Sequence, residues 1–157
     1  REETLAFRRR ILPEDHPDIA TSMNNLAITY GDLGRHEDAL RMREETLAFR
    51  RRILPEDHPD IGDSMSNLAI TYSDLGRHED ALRMKEETLA FRRRILPEDH
   101  PHIGQSMNNL AITYHALGRH EDALRMMEDA LALFRRSLPE DHPHIASAIA
   151  CLQEWKT

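Results

Sequence analysis

The sequence predicts an all-α protein: a right-handed solenoid of antiparallel helix pairs with a 42-residue period and about eight helices. Three observations predict it: a long internal repeat, apolar residues spaced three and four apart, and proline and glycine at fixed places in each unit. No stretch alternates apolar and polar residues with the period of two expected of a half-buried strand. We therefore expect helices only.

The repeat covers most of the chain. Residues 1–42 recur as 43–84 and again as 85–126, and a fourth, partial copy starts at Met127 and loses the pattern after Ile145. The first two units differ at four positions, and the second and third differ at six. A single helix pair cannot bury both of its faces, so neighbouring units must stack on one another.

Each unit is expected to contain two helices. Pro13 and Pro17 bracket a break, and Pro17 suits the first turn of a new helix. The apolar face of this first helix is expected to comprise Ile19, Met23, Leu26, Ala27, Tyr30 and Leu33. Gly34 follows this apolar face, and a glycine just past the last residue of the pattern commonly ends a helix. The second helix is expected from about His36 to Leu54, with acids in its first turn and arginines in its last, as the helix dipole favours.

The chain, 1–157, is thus expected to be a single repeat array. It comprises an orphan second helix at 1–12, helix pairs at 17–54, 59–96 and 101–138, and a terminal capping helix at 143–156. In that last helix Gln153, Glu154 and Lys156 replace apolar or aromatic residues of the other units, as a cap requires. We expect the carboxyl end to be native and the amino end artificial. The uncovered amino face makes head-to-tail self-association a candidate property.

Composition restricts the classes of partner. Charged residues make up 31% of the chain, the net charge is −7, and no apolar run approaches the roughly 18 residues of a membrane helix. We expect no nucleic-acid partner and no membrane partner, because phosphate backbones and anionic lipids favour basic proteins. No secretion signal is evident, and the single Cys151 cannot form an internal disulfide. A cytoplasmic location is expected.

At its invariant positions the chain resembles a tetratricopeptide-repeat array. The residues that carry the resemblance are Leu26, Ala27, Tyr30, Gly34 and Ala39, with copies at Leu68, Ala69, Tyr72, Gly76 and Ala81 and at Leu110, Ala111, Tyr114, Gly118 and Ala123. The 42-residue unit, with Asp-His-Pro before the first helix and Asn-Asn-Leu-Ala inside it, is similar to the repeats of kinesin light chains and of fungal tetratricopeptide arrays. The resemblance implies a protein–protein interaction scaffold without catalytic residues or cofactors, which binds a partner in a concave groove lined by first helices.

Two positions depart from the family pattern. Arg43 and Lys85 stand where the family usually has an aromatic residue, and Met127 stands there in the third copy. Thr46 and Thr88 replace a usual alanine, which returns at Ala130. A cation near a buried face needs a carboxylate partner or a route to water for its charged group.

Differences among the near-identical units indicate a candidate binding surface. At about 100° per residue, the variable positions 20, 21, 24, 31 and 32 and their copies lie opposite the expected core. Including invariant Asn and Ile residues on the same face, the candidate peptide-binding residues are Thr21, Asn24, Asn25, Ile28, Asp32, Asp63, Ser66, Asn67, Ile70, Asp74, Gln105, Asn108, Asn109, Ile112 and His115. Neutral drift of solvated positions is the alternative. The three Ile residues form either an apolar ladder in the groove or part of the solenoid core.

Other chemistry has weaker support. The recurring histidines at His16, His58 and His100 favour helix capping and turn packing over metal binding, and no metal motif accompanies them. The triple arginines, such as those at 8–10, point in different directions on a helix, so we interpret them as solvated partners of the helix dipole. Cys151 is interpreted as a small core residue. A structural or self-assembling spacer is the alternative function, and helical-repeat RNA binding is a weaker one.

Overall fold

The computed structural model describes all 157 residues, and they form eight helices and no strand. The helices are α1 (Glu2–Ile11), α2 (Pro17–Asp32), α3 (His36–Ile53), α4 (Pro59–Asp74), α5 (His78–Ile95), α6 (Pro101–Ala116), α7 (His120–Ser137) and α8 (Pro143–Trp155). The all-α class is confirmed, and the helices recur with the 42-residue period. The chain divides into two compact units, residues 1–84 and 85–157, with the division inside α5. None of the helices is both long and apolar enough to cross a bilayer.

The histidine before each first helix caps it. His16 Nδ1 accepts a hydrogen bond from the backbone N–H of Asp18 at 3.1 Å, and Pro17 occupies the first helical position. The same cap recurs at His58, His100 and His142. A side-chain acceptor here satisfies one of the backbone N–H groups that a helix start leaves without a partner. The capping interpretation of the recurring histidines is therefore confirmed.

Glycine in the left-handed region ends each first helix of the full units. Gly34, Gly76 and Gly118 have φ values of 75°, 74° and 82°, which cost glycine little because it lacks a Cβ atom. The expected burial of Leu33 is wrong, because its side chain is 66% exposed. Leu33 follows the last helical residue, with φ −86° and ψ 1°, so it does not continue the buried stripe.

The core of each unit forms where successive helices meet. In residues 1–84 one cluster joins α1, α2 and α3 through Leu5, Ile19, Ala20, Met23, Leu26 and Phe49. In residues 85–157 another joins α6, α7 and α8 through Ala111, Met127, Ala148 and Leu152, with Cys151 and Trp155 packed at its edge. Position 20 was expected to face outward, but Ala20 is only 2% exposed. Its copies Gly62 and Gly104 are buried too.

The first arginine of each triplet is not a free dipole partner. Its guanidinium donates to a serine hydroxyl of the next first helix, in the pairs Arg8–Ser22 (2.8 Å), Arg50–Ser64 (2.9 Å) and Arg92–Ser106 (2.9 Å). Arg92 is only 8% exposed, so the interpretation of the triplets as solvated is wrong there. At the next equivalent pair both residues change together, to Phe134 and Ala148, and both are buried.

Candidate functional site

The isoleucines on the first helices are exposed. Ile28, Ile70 and Ile112 are 40%, 51% and 46% accessible, whereas Leu26 and Ala27 next to Ile28 are 4% and 1% accessible. The three isoleucines therefore do not lie in the core, which was one of the two readings that the sequence left open. Each is an apolar side chain on the solvent face of a first helix.

In residues 1–84 the structure brings two predicted residues, one on α2 and one on α4, into contact. The Nδ2 group of Asn67 donates to Oδ1 of Asn24 at 3.5 Å, so an amide pair joins the two helices. Ser66, Asn24 and Asn67 are half-buried. The remaining predicted polar residues of this unit are exposed: Thr21, Asn25, Asp32, Asp63 and Asp74.

In residues 85–157 two predicted residues are engaged by the chain itself. The ring of His115 stacks on Trp155 of α8, with centroids 4.5 Å apart and planes 10° apart. Gln105 Nε2 lies 3.1 Å from Nε2 of His144, also on α8. Asn109 is exposed and Asn108 is half-buried. Trp155 stands where the other units have threonine, and this sequence difference is the signal that could have indicated the stacking.

Two cations on second helices contact first helices, and the predicted binding residues did not include them. Arg43 of α3 donates through Nη1 to Oδ1 of Asn24, the oxygen that Asn67 also approaches. Lys85 of α5 donates through Nζ to the hydroxyl of Thr113 at 2.7 Å. Both cations are half-buried. The departure from the family pattern at Arg43 and Lys85 was the sequence feature that could have indicated these contacts.

Both cations lie in surroundings that disfavour their charged forms. Burial lowers the pKa of the Arg43 guanidinium below its ordinary value, and the neighbouring positive charge of Arg50 lowers it further. Burial alone lowers the pKa of the Lys85 ammonium. The buried Nε of Arg43 has no hydrogen-bond partner. Their acceptors are a neutral amide and a neutral hydroxyl.

Two clefts are each lined by two consecutive second helices and the first helix between them. A cleft of about 690 Å³ opens between α1 and α3, over Ile19, Met23 and Phe49. Its copy in residues 85–157, about 580 Å³, lies over Ile103, Met107 and Leu133. No predicted site residue lines either cleft. Of the predicted residues, Asn25 borders a smaller cleft of about 220 Å³ beside Arg1. No three His, Cys, Asp or Glu side chains converge as metal ligands.

Known proteins resemble this chain both in sequence and in fold. Two family models, each described as tetratricopeptide repeat, match residues 60–136 and residues 19–60. A crystal structure from Podosopora anserina, described by its nearly identical kinesin light chain TPR-like repeats, is 26% identical with a TM-score of 0.82. That match covers 98% of this chain and 73% of the other. No curated protein matches in sequence.

Two further structures extend the comparison. BtubC (BKLC) from P. vanneervenii is 25% identical with a TM-score of 0.84, over 98% of this chain and 61% of that one. The amino-terminal domain of stress-induced protein-1 from C. elegans has a TM-score of 0.66 at 13% identity, over 89% of this chain and 96% of that one. The last likeness concerns the fold alone.

The capped first helices, the glycine turns and the 42-residue recurrence define a helical-repeat array of antiparallel pairs. With family models matching residues 19–136 between them, the chain belongs to the tetratricopeptide-repeat family. This fold is that of a protein–protein interaction scaffold, and the family and its kinesin-light-chain-like folds are typically non-enzymatic.

Proposed function

We propose that this scaffold binds an extended peptide or a partner surface on its first-helix face, in the concave groove that first helices line in tetratricopeptide arrays. The observation that carries the proposal is the exposure of Ile28, Ile70 and Ile112 on faces that are otherwise polar. Each offers apolar area that a ligand would remove from water, and burial of apolar area is the main favourable term in association.

The polar residues around the isoleucines would hold a peptide backbone. Asparagine has both donors and an acceptor, and Asn25 and Asn109 are exposed beside the isoleucines. The amide pair of Asn24 and Asn67 is already positioned by its hydrogen bond, which reduces the entropy lost when a ligand binds. Side chains that differ among units, such as Thr21 and Asp63, would select the ligand's register.

The test is capture of binding partners by the wild type and by an Ile28→Ser/Ile70→Ser/Ile112→Ser variant, from a peptide array and from a proteome pull-down. The matched control is Ala48→Ser/Ala90→Ser/Ala132→Ser, which makes the same number of apolar-to-serine changes at exposed positions of the second helices. Circular dichroism verifies that all three proteins are folded. Partners retained by the wild type and the control, but lost by the isoleucine variant, would support the proposal. Partners that persist in the isoleucine variant would refute it.

Self-association is the second candidate, favoured by two apolar side chains on α1. Phe7 and Ile11 are 50% and 55% exposed, whereas the equivalent Phe49 is 9% exposed. Head-to-tail contact would pair α1 with α8 of another copy. Gln153 of α8 opposes it, because this exposed polar residue stands where Ala27 is buried. Sedimentation velocity over a range of concentrations tests the candidate: assembly that Phe7→Ser/Ile11→Ser abolishes supports it, and a constant monomer mass rejects it.

A further inference from the structure

The histidine caps of the first helices come in two forms. In α2 and α4 the second residue after the capping histidine is an aspartate, Asp18 or Asp60, whose carboxylate lies 3.9 Å from the capping nitrogen. In α8 this place is taken by His144, and its ring centroid lies 4.7 Å from that of the capping His142. The capping histidine therefore has an acid beside it in α2 and α4, but a second histidine in α8.

The cap of α8 requires an unprotonated nitrogen. The Nδ1 atom of His142 accepts a hydrogen bond from the backbone N–H of His144 at 3.1 Å, and a protonated imidazole has no acceptor. Histidine is the side chain that ordinarily changes its charge between roughly pH 5 and pH 8. Because the start of a helix carries a partial positive charge, a cation there is also unfavourable. Acid therefore removes the hydrogen bond of the cap.

Protonation has different consequences in the two forms of cap. In α2 and α4 a charged histidine exchanges the lost hydrogen bond for attraction to Asp18 or Asp60. In α8, protonation of His142 and His144 places two positive charges side by side at the helix start, where mutual repulsion and the helix dipole both oppose them. Acid is therefore expected to weaken the cap of α8 more than the caps of α2 and α4.

The groups around the α8 cap are neutral or common to all the caps. His144 contacts Gln105 of α6, with 3.1 Å between their Nε2 atoms, and the Phe134 ring of α7, with centroids 5.3 Å apart. The amide can donate to a neutral imidazole or, when rotated, accept from a charged one, but it supplies no counter-ion. Before the cap, Glu140 pairs with an arginine of α7 at 3.6 Å. Asp141 is exposed, and an aspartate stands at this place before every cap.

The carboxyl end of α8 is held by other contacts. Trp155 stacks on His115 with ring centroids 4.5 Å apart, and a positive charge on that imidazole would be attracted to the indole face. Lys156 pairs with Glu128 at 3.0 Å, and glutamates generally keep their charge above roughly pH 5.5. The effect of mild acid is therefore expected at the start of α8 and not at its end.

We propose that His142 and His144 form an acid-sensitive cap, which opens the first turns of α8 as the pH falls from about 7.5 to about 5.5. Opening exposes Phe134 and Ile145, which are each only 1% exposed in the closed arrangement. A similar histidine pair precedes α6, but the start of α6 is covered by Phe134 and Leu133, which lie against Gly104. The aspartates confine the device to residues 85–157.

The test is residue-resolved hydrogen exchange of the whole chain at about pH 7.5 and about pH 5.5. The exchange of amides 145–149 is divided by that of the equivalent amides 61–65 of α4, so that the chemical pH dependence of exchange cancels. We expect this ratio to rise about 10- to 100-fold in acid, because an opening that takes up one or two protons changes its equilibrium by up to that factor per pH unit.

Two variants and a matched control assign the effect. His144→Asp gives α8 the arrangement of α2 and α4, and His142→Asn provides a cap that does not titrate in this range. Both should abolish most of the rise. His16→Asn makes the same change at the cap of α2 and should leave the rise at α8 intact.

Three results would overturn the proposal. The first is a ratio in the wild type that does not change with pH, and the second is a rise that persists in full in either variant. The third is an equal acceleration of exchange in α4, which would show that acid unfolds the whole chain. None of these measurements involves a ligand, so the proposed function stands or fails separately.

Discussion

Gly104→Ala should destabilise the protein although it replaces glycine by a better helix former. A Cβ atom at residue 104 would lie 2.5 Å from Cε1 and 2.9 Å from Cδ1 of Phe134, and 3.1 Å from Cδ2 of Leu133, whereas ordinary contacts are 3.4–4 Å. Phe134 and Leu133 are 1% and 3% exposed, so neither can swing into solvent. Such overpacking costs about 1–3 kcal/mol, and the helix gains only about 0.5–1 kcal/mol from the alanine.

The expected net loss is therefore about 1–2 kcal/mol of unfolding free energy. Urea unfolding followed by circular dichroism would measure it in the wild type and in a Phe134→Leu background. Leucine lacks the ring atom that the new Cβ would meet, so the same change there should be neutral or stabilising by up to about 1 kcal/mol. A double-mutant cycle isolates this coupling.

Gly31→Ala is the matched control for this cycle. Gly31 is also helical, but a Cβ atom there would meet nothing within 4 Å, so the change should not destabilise. If Gly104→Ala costs the same in both backgrounds, or stabilises the wild type, the reasoning about Phe134 is refuted.

Three further predictions follow from the same structure. Leu68→Ala should cost about 2–5 kcal/mol in urea unfolding, because the side chain is only 2% exposed; an unchanged midpoint would contradict its place in the core. His58→Ala should cost about 1 kcal/mol by thermal unfolding and His58→Asn much less, since asparagine also caps helices; equal losses would count against the cap. Lys85 has a lowered folded pKa, so above neutrality the folded chain releases this proton before the unfolded one, whose lysine pKa is roughly 10.4. The unfolding free energy of the wild type should then rise with pH relative to Lys85→Met across that window, and a constant difference would exclude this effect.

The fold could be predicted from the sequence because every level of the pattern agreed. Pro17, Gly34 and the apolar spacing all predict the same helix, and its repetition removes the ambiguity of a single copy. The prediction that Leu33 is buried was wrong because periodicity does not show where the last helical turn ends. The prediction that position 20 faces solvent was wrong because it was inferred only from the variation among the units, and variable residues can be buried.

The surface was harder to predict than the fold because it depends on contacts between helices. Helical geometry gave the outward direction of Ile28, but it gave no information about α8, whose Trp155 covers His115. The same limit hid the Arg–Ser pairs, which join residues fourteen positions apart on different helices. Whether the predicted residues bind a peptide stays a prediction.

Near-identity of the units offers a way to separate packing from function. Where a unit departs from the repeated sequence for packing reasons, a second, compensating change accompanies the first. Phe134 comes with Ala148 and lies against Gly104. Lys156 replaces a tyrosine but keeps an ion pair of 3.0 Å with Glu128, the acid equivalent to the one that Tyr114 contacts at 3.4 Å.

Arg43 and Lys85 break this rule. Burial lowers the pKa of both groups and their hydrogen-bond acceptors are neutral, whereas the third copy has the buried Met127 at this position. Packing alone does not require a cation at either position, because Met127 fills the equivalent place without one.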